Sequence, residues 1–293
     1  MNNSDKTISK RRKTGNFIKM AFMYAATTII LLFLAFLIGY ILFRGLPNIT
    51  IQFLTSKPSL VRETIGILPN ILNTVYVILM TIIVVLPIGI GSAVYLNEYA
   101  KNKRLVGLLE LATETLAGIP SIIYGLVGML IFVRFFSFGT SLVAGAMTLA
   151  IMTLPTIIRT VQESLKTVPD SYRECALGLG SGKWHMIRTV ILPSSIDGIV
   201  TGCILSIGRI VGESAALLFT AGMANEIIGF LSAPLPNNAG STLTVALYMY
   251  AKERGEFNIA FAIAAILLIL TFIINLAAKF AAYKFKKEER ENE

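Results

Sequence analysis

The chain has 293 residues, 55% of them hydrophobic and 15% charged, with a formal net charge of +9. Soluble globular domains carry about a quarter charged residues, so this composition, with a mean hydropathy of +0.71, excludes an ordinary soluble domain and implies a protein that crosses a membrane several times. The two cysteines, Cys175 and Cys203, and the one histidine, His185, have neither the spacing of a metal site nor that of a disulfide framework, so no metal is expected.

A crossing helix needs about 20 mostly apolar residues. A basic tail, 1–19, precedes the first such run at 20–43, which is too long for a secretory signal and lacks a small-residue cleavage pattern. Five further runs fall in a region 65–283. The first of these, 67–96, has Pro69 at its start and Pro87 within it. The next, 105–133, carries Glu110 and Glu114 on one face, expected at an interface, and has Pro120 near its middle. Then come 135–158 with Pro155 near its end, 194–221 with Arg209 and Glu213 inside it, and 257–278, before a tail at 284–293. The segments 44–66 and 222–256 are long enough to fold over an outside partner, and the second is turn-rich, with Pro234, Pro236, Asn237, Asn238 and Gly240.

Six spans place both ends of the chain on one side. Of the 26 Lys and Arg, six (Arg44, Lys57, Arg62, Arg134, Lys252, Arg254) fall on the far side and Arg209 inside a span. The other 19 share the side of the termini. By the positive-inside rule that side is cytoplasmic, so the net charge reads as an orientation signal with lipid contact rather than a nucleic-acid surface.

Between the fourth and fifth runs lies a polar stretch within the segment 166–193. It reads as two short helices about a glycine hinge. Ser171 and Glu174 have capping-box spacing, Gly178, Gly180 and Gly182 supply a stop and a turn, and a second helix from Lys183 carries Trp184, Met186, Ile187 and Ile191 to Pro193. The pattern Glu174-Cys175-Ala176, Gly180, Val190, Leu192, Pro193 resembles the EAA loop of ABC-importer permeases, with Cys and Val as its two departures. The resemblance implies that Glu174, Ala176, Gly180, Leu192 and Pro193 form a coupling helix pair that docks on a cytoplasmic ATPase.

In the fifth run, Arg209 and Glu213 are four apart and share a helix face, with Gly202 and Ser206 close to it. Gly208 and Gly212 have the small-xxx-small spacing that admits a neighbouring helix. An arginine inside a span costs about 2.5–3.5 kcal/mol on insertion scales. Two readings follow: an internally neutralised Arg209–Glu213 pair that joins helices, or an Arg209 fork offered to a passing oxyanion with Glu213 holding it in place. The motif G-R-x-x-G-E-[ST]-A resembles that of the permeases of Pst phosphate importers, in particular their A-type subunit. So do Pro87–Tyr99 (PIGIGSAVYLNEY), Ile119–Gly125 (IPSIIYG) and Leu154–Arg159 (LPTIIR). Ala216 departs from the proline usual there.

Other motifs fail. Gly178–Lys183 lacks the P-loop spacing and has Trp184 where Ser or Thr is needed. The helix–glycine–helix segment runs into membrane spans at both ends and has no freedom to enter a DNA groove. The resemblance therefore implies an all-α integral membrane protein of six transmembrane helices with the type I importer permease (MetI-like) fold and cytoplasmic coupling helices. It implies no catalytic residue and no cofactor on this chain, since ATP and Mg belong to a partner ATPase dimer. It also implies a second homologous permease and an extracytoplasmic phosphate-binding protein. Transport of another oxyanion (sulfate or molybdate), or a scaffold that senses phosphate without moving it, stays open at this point.

Overall fold

The computed structural model describes residues 3–58, 65–226, 228 and 235–291, and every regular element among them is helical. Arg62 and Pro234, named above in the outer segments, lie outside the described residues. The helix α1, Asn3–Gly45, runs without a break through the basic tail and the first span. Its apolar stretch is buried nowhere in the chain, and among the described residues it packs chiefly on α13 and the turn that follows it. A helix that is apolar all round and unburied has lipid as its neighbour.

A short helix α2, Ile51–Thr55, starts where Thr50 Oγ1 accepts from Phe53 N. Helix α3, Leu68–Val94, continues as a π-helical turn over Tyr95–Tyr99. Helix α4, Lys103–Ala117, begins at the Asn102 cap, and α5, Ser121–Gly128, is extended by a π-helical stretch Met129–Phe135. These two are bent by 98°. The run expected at 105–133 is therefore two helices and not one, because Pro120 forces the residue before it out of the helical region and Gly118 offers no resistance.

Helix α6, Leu142–Thr167, opens with Ser141 accepting from Ala144 N. The fourth run thus starts later than 135 and ends later than 158. Ser137 and Gly139 take positive φ (55° and 60°) and break the chain before Ser141. The hinge segment holds α7, Asp170–Gly178, then α8, Lys183–Met186, a π-helical turn Ile187–Ile191, and α9, Leu192–Ser194. Helix α10, Ile196–Gly212, leaves at 67° to the preceding helix. The fifth run does not continue to 221. It stops at Gly212 and restarts as α11, Ala215–Thr220. Helix α12, Leu243–Tyr248, with a π-helical turn Met249–Glu253, and α13, Phe257–Glu291, complete the chain. Four of these helices are long and apolar enough to cross a membrane, or up to six if each bent pair is one span. The protein is a multi-pass membrane protein.

Helix α6 is the hub, packed by α3, α10, α4, α5 and α11. Leu142, Leu149, Met152, Ile157, Val161 and Leu165 are fully enclosed along it. Its buried hydroxyls turn back on their own helix, Thr148 to Ala144 O at 2.8 Å and Thr153 to Leu149 O at 2.7 Å, so neither is stranded in the apolar layer. Helices α3 and α6 touch closely at Gly89, where an added Cβ would lie 2.6 Å from Ile157 Cγ2. The irregular segment after α11 is stitched in by backbone bonds, among them Leu142 N to Asn238 O and Gly240 N to Ala221 O. Asn70 and Asn73 also donate to Ser241 O. Non-helical chain at membrane depth is tolerated only where it is satisfied in this way.

Candidate functional site

Arg209 sits in the last turn of α10, half-buried. The negative end of the helix dipole offsets part of the cost of a cation there. Its one hydrogen bond is from Nη1 to Thr156 Oγ1 on α6, at 3.3 Å, and among the described residues it makes no ion pair. Thr156 follows Pro155, so the LPTIIR block and the GRIVGESA block meet at this contact.

Glu213 does not hold Arg209. The helix ends at Gly212, so Glu213 takes an extended conformation (ψ 122°) and leaves the shared face. Its Oε1 accepts from Ala216 N at 3.0 Å and its carbonyl from Thr244 Oγ1 at 2.8 Å, which ties the breakpoint to α11 and α12. A proline at 216 would have no N–H to make the first of these bonds. Ala216, the departure from that proline, thus supplies the N–H that holds the Glu213 carboxylate once the helix has ended. Ala216 also lies against the IPSIIYG block, with its Cα 2.8 Å from where a Gly125 Cβ would stand.

Gly208 and Gly212 meet no close neighbour among the described residues of this chain. Nothing among the described residues lies within 4 Å of a Cβ built on either one. Within this chain the tight approaches of α10 are made at Gly198 against Ser164 and at Gly202 against Thr160. Ser206, near the Arg209 face, is fully buried and its hydroxyl has no protein partner.

Further along α6, Glu110 and Glu114 find partners that charge counting did not anticipate. Glu110 Oε1 accepts from Lys166 Nζ at 3.0 Å and from Gln162 Nε2 at 2.7 Å. Glu114 accepts from Arg159 Nη1 at 2.8 Å, and Arg159 Nε reaches Glu163 at 3.0 Å. These groups line a cavity of about 150 Å³ between α4 and α6. They are half-exposed, and such pairs contribute little to stability.

The hinge segment has the expected two-helix form but not the expected start. The cap of α7 is Pro169 with Asp170 in the first turn. Ser171 therefore lies inside the helix, and the capping box with Glu174 does not form. The turn is made by Gly180 at φ +84°, with Ser181 N on Ala176 O at 3.1 Å and Gly180 N on Leu177 O at 3.0 Å. This is the Schellman ending, which needs a left-handed residue. Ala176 and Leu192 pack inward on a core that includes Met186, Ile187 and Ile191. Glu174 is exposed. Leu179 and Trp184 are 90% and 60% exposed, an apolar rim on a polar elbow.

Sequence reasoning missed Thr156, Glu98 and Arg173. Two of them had a signal: Thr156 and Glu98 lie inside blocks that resemble the importer permeases, and Glu98 is a lone acid closing an apolar run.

Comparison with known proteins places the chain among transporters. Residues 85–287 match the family described as "Binding-protein-dependent transport system inner membrane component". The chain is 33% identical to the "Probable ABC transporter permease protein YqgI" of Bacillus subtilis, over 94% of this chain and 96% of that protein. It is 30% identical to the "Phosphate transport system permease protein PstA" of Yersinia pestis, over 94% of this chain and 92% of the relative. Among solved structures it resembles a chain of the bacterial alginate ABC transporter in complex with an alginate pentasaccharide-bound periplasmic protein. There the TM-score is 0.67 at 14% identity, over 92% of this chain and 96% of that one. A chain of the MetNI methionine ABC transporter in an inward-facing conformation matches with a TM-score of 0.57 at 18% identity, over 77% of this chain and 95% of that one. At these identities the structures speak to the fold, which is that of importer permeases.

Proposed function

The chain belongs to the family of binding-protein-dependent transport system inner membrane components, and from that membership we propose that it is the permease subunit through which an ABC importer passes inorganic phosphate. The observation that carries this reading is Arg209: a guanidinium at the end of a membrane helix, with no carboxylate on it and one long hydrogen bond to Thr156. A planar donor fork left without an anionic partner suits a tetrahedral oxyanion. The relatives named as phosphate permeases support the same cargo.

Phosphate released by an extracytoplasmic binding protein would meet Arg209 beside the break at Glu213 and Ser214, where interrupted helices in transporters expose polar groups. With Glu213 tied to Ala216 N, the charge of Arg209 stays available to the anion. Gly208 and Gly212, open on their outer side, are where the second permease would approach. Both chain ends and the elbow would face the cytoplasm. There the exposed Glu174, Leu179 and Trp184 would dock on the ATPase pair, which binds ATP and Mg in place of this chain. ATP-driven closure would then move the elbow and switch which side of the membrane the Arg209 level faces.

The test is ATP-dependent accumulation of phosphate by the assembled complex in vesicles. Wild type accumulates phosphate, Arg209→Gln does not, and excess sulfate or molybdate leaves uptake unchanged. Normal uptake by Arg209→Gln at equal complex abundance would sink the role of the arginine. Competition by sulfate or molybdate would reassign the cargo.

A further inference from the structure

Glu98 lies in the π-helical turn that closes α3, with its side chain only 5% exposed. Its carboxylate receives Arg173 Nη2 at 2.9 Å and Arg173 Nε at 3.1 Å, and Asn97 Nδ2 at 2.8 Å. Arg173, on α7 and 17% exposed, spends its remaining donors on Val168 O at 2.9 Å, Leu165 O at 3.0 Å and Asp170 Oδ1 at 3.1 Å. One guanidinium thus ties the ends of α3 and α6 to the first half of the elbow. From the second half, beyond the Gly180 turn, Lys183 donates Nζ to the carbonyl of the same Glu98 and stands 4.9 Å over the Tyr99 ring. Both arms of the elbow are therefore fastened to one residue of α3.

Stability alone does not account for this pair. A buried ion pair is often no better than apolar side chains of the same volume, although losing one partner is costly. What the pair supplies is a fixed direction between two elements. Two further features let α3 act as a lever. Pro87 lies within it three turns before Glu98, a site where a helix bends. Beside it opens a cleft of about 490 Å³ lined by Pro87, Ile88, Ser92, Tyr95 and Leu109, among others. At Gly89 the lever rests on Ile157 of α6, one residue from Thr156.

We propose that the Glu98–Arg173 pair, with Lys183, is the joint that makes the elbow and the end of α3 move as one body, so that closure of the ATPases reaches the Arg209 level through α3 and α6. Glu98 and Arg173 are positioning residues in this scheme and touch no cargo. The proposal rests on the transport reading above.

The test uses the assembled transporter in vesicles, this chain with its partner permease, ATPase pair and binding protein, and measures phosphate accumulated per ATP hydrolysed. Glu98→Gln keeps the shape and removes the charge. It is expected to lower that ratio on the order of tenfold, within the usual range of coupling between sites, while ATP hydrolysis persists. Glu98→Asp should recover part of the ratio, and Glu98→Gln with Arg173→Gln should be no worse than either alone. An unchanged ratio, or a parallel fall of both rates, overturns the joint. If Glu98→Gln fails to assemble, Lys183→Met removes only the exposed tie. The expected fall is then about threefold, the scale of an exposed charge contact, and no fall overturns the proposal. A second measurement is independent of the cargo. Spin labels on the native Cys175 and on Tyr95→Cys, with Cys203→Ala, report the distance from elbow to α3. That distance should be the same with and without trapped nucleotide, and Glu98→Gln should broaden it. A wild-type distance that changes with nucleotide shows the elbow sliding past α3 and ends the proposal. Wild-type vesicles that accumulate no phosphate refute the cargo alone.

Discussion

Two arginines in this chain are used in opposite ways. Arg173 gives its donors to two carboxylates and two backbone carbonyls, and its chief partner Glu98 is buried. Arg209 has one bond to a hydroxyl, at 3.3 Å. A guanidinium whose directions are all filled is a structural clamp, and exchanging its partners would mean desolvating and breaking several charge-assisted bonds together. One that is nearly empty can accept an incoming anion and release it. The contrast teaches that charge inside or beside a membrane is not one category, and that the number of partners decides the role.

Substitution at each site should separate the two uses. The largest effect is expected for Arg209→Gln, which should lower phosphate uptake about a hundredfold or more, the scale of a donor aimed at an anion in a dry site. The melting temperature of the purified complex should stay level, because Arg209 has almost no partners to lose; a large drop would make it a clamp after all. Arg173→Met should do the reverse and destabilise the chain by about 3 kcal/mol, since the carboxylate of Glu98 is left buried without its cation. Thermal unfolding in detergent checks this, and an unchanged melting point would show that the pair is idle.

Smaller changes sharpen the picture. Gly180→Ala must hold a Cβ at φ +84°, which costs roughly 1–2 kcal/mol. It should lower ATPase co-purification without affecting insertion of the chain, and full retention of the ATPase would dismiss the turn as a coupling element. Thr156→Val removes the one bond that aims Arg209. It should cost about 1 kcal/mol, read as a few-fold rise in the phosphate concentration for half-maximal uptake. The smallest effect is expected for Ala216→Pro, which deletes the N–H that holds Glu213. The freed carboxylate would compete with phosphate for Arg209, for a loss of about threefold or less, visible as slower uptake at low phosphate.

The apolar runs, the hinge segment and the blocks around Arg209 were all legible, because length, hydropathy and spacing act locally. The misses have physical causes. A helix face drawn through Arg209 and Glu213 assumed a helix that continues, yet the chain breaks at Gly212 and the carboxylate leaves the face. The capping box at Ser171 gave way to Pro169, whose fixed φ starts the helix two residues earlier. Within the chain α10 approaches α6 through Gly198 and Gly202, while Gly208 and Gly212 stay open.

By itself the sequence determined the class of molecule: apolar stretches of crossing length and an elbow punctuated by glycine. These follow from solvation and backbone sterics, which neighbouring residues decide among themselves. Only the tertiary structure decided which charges meet. It set Glu98 against Arg173 across 75 residues and Glu110 against Lys166 across 56, and it left Arg209 with a hydroxyl. Such partners are chosen by how helices pack around α6, and a charge in an apolar layer binds whatever that packing brings within reach.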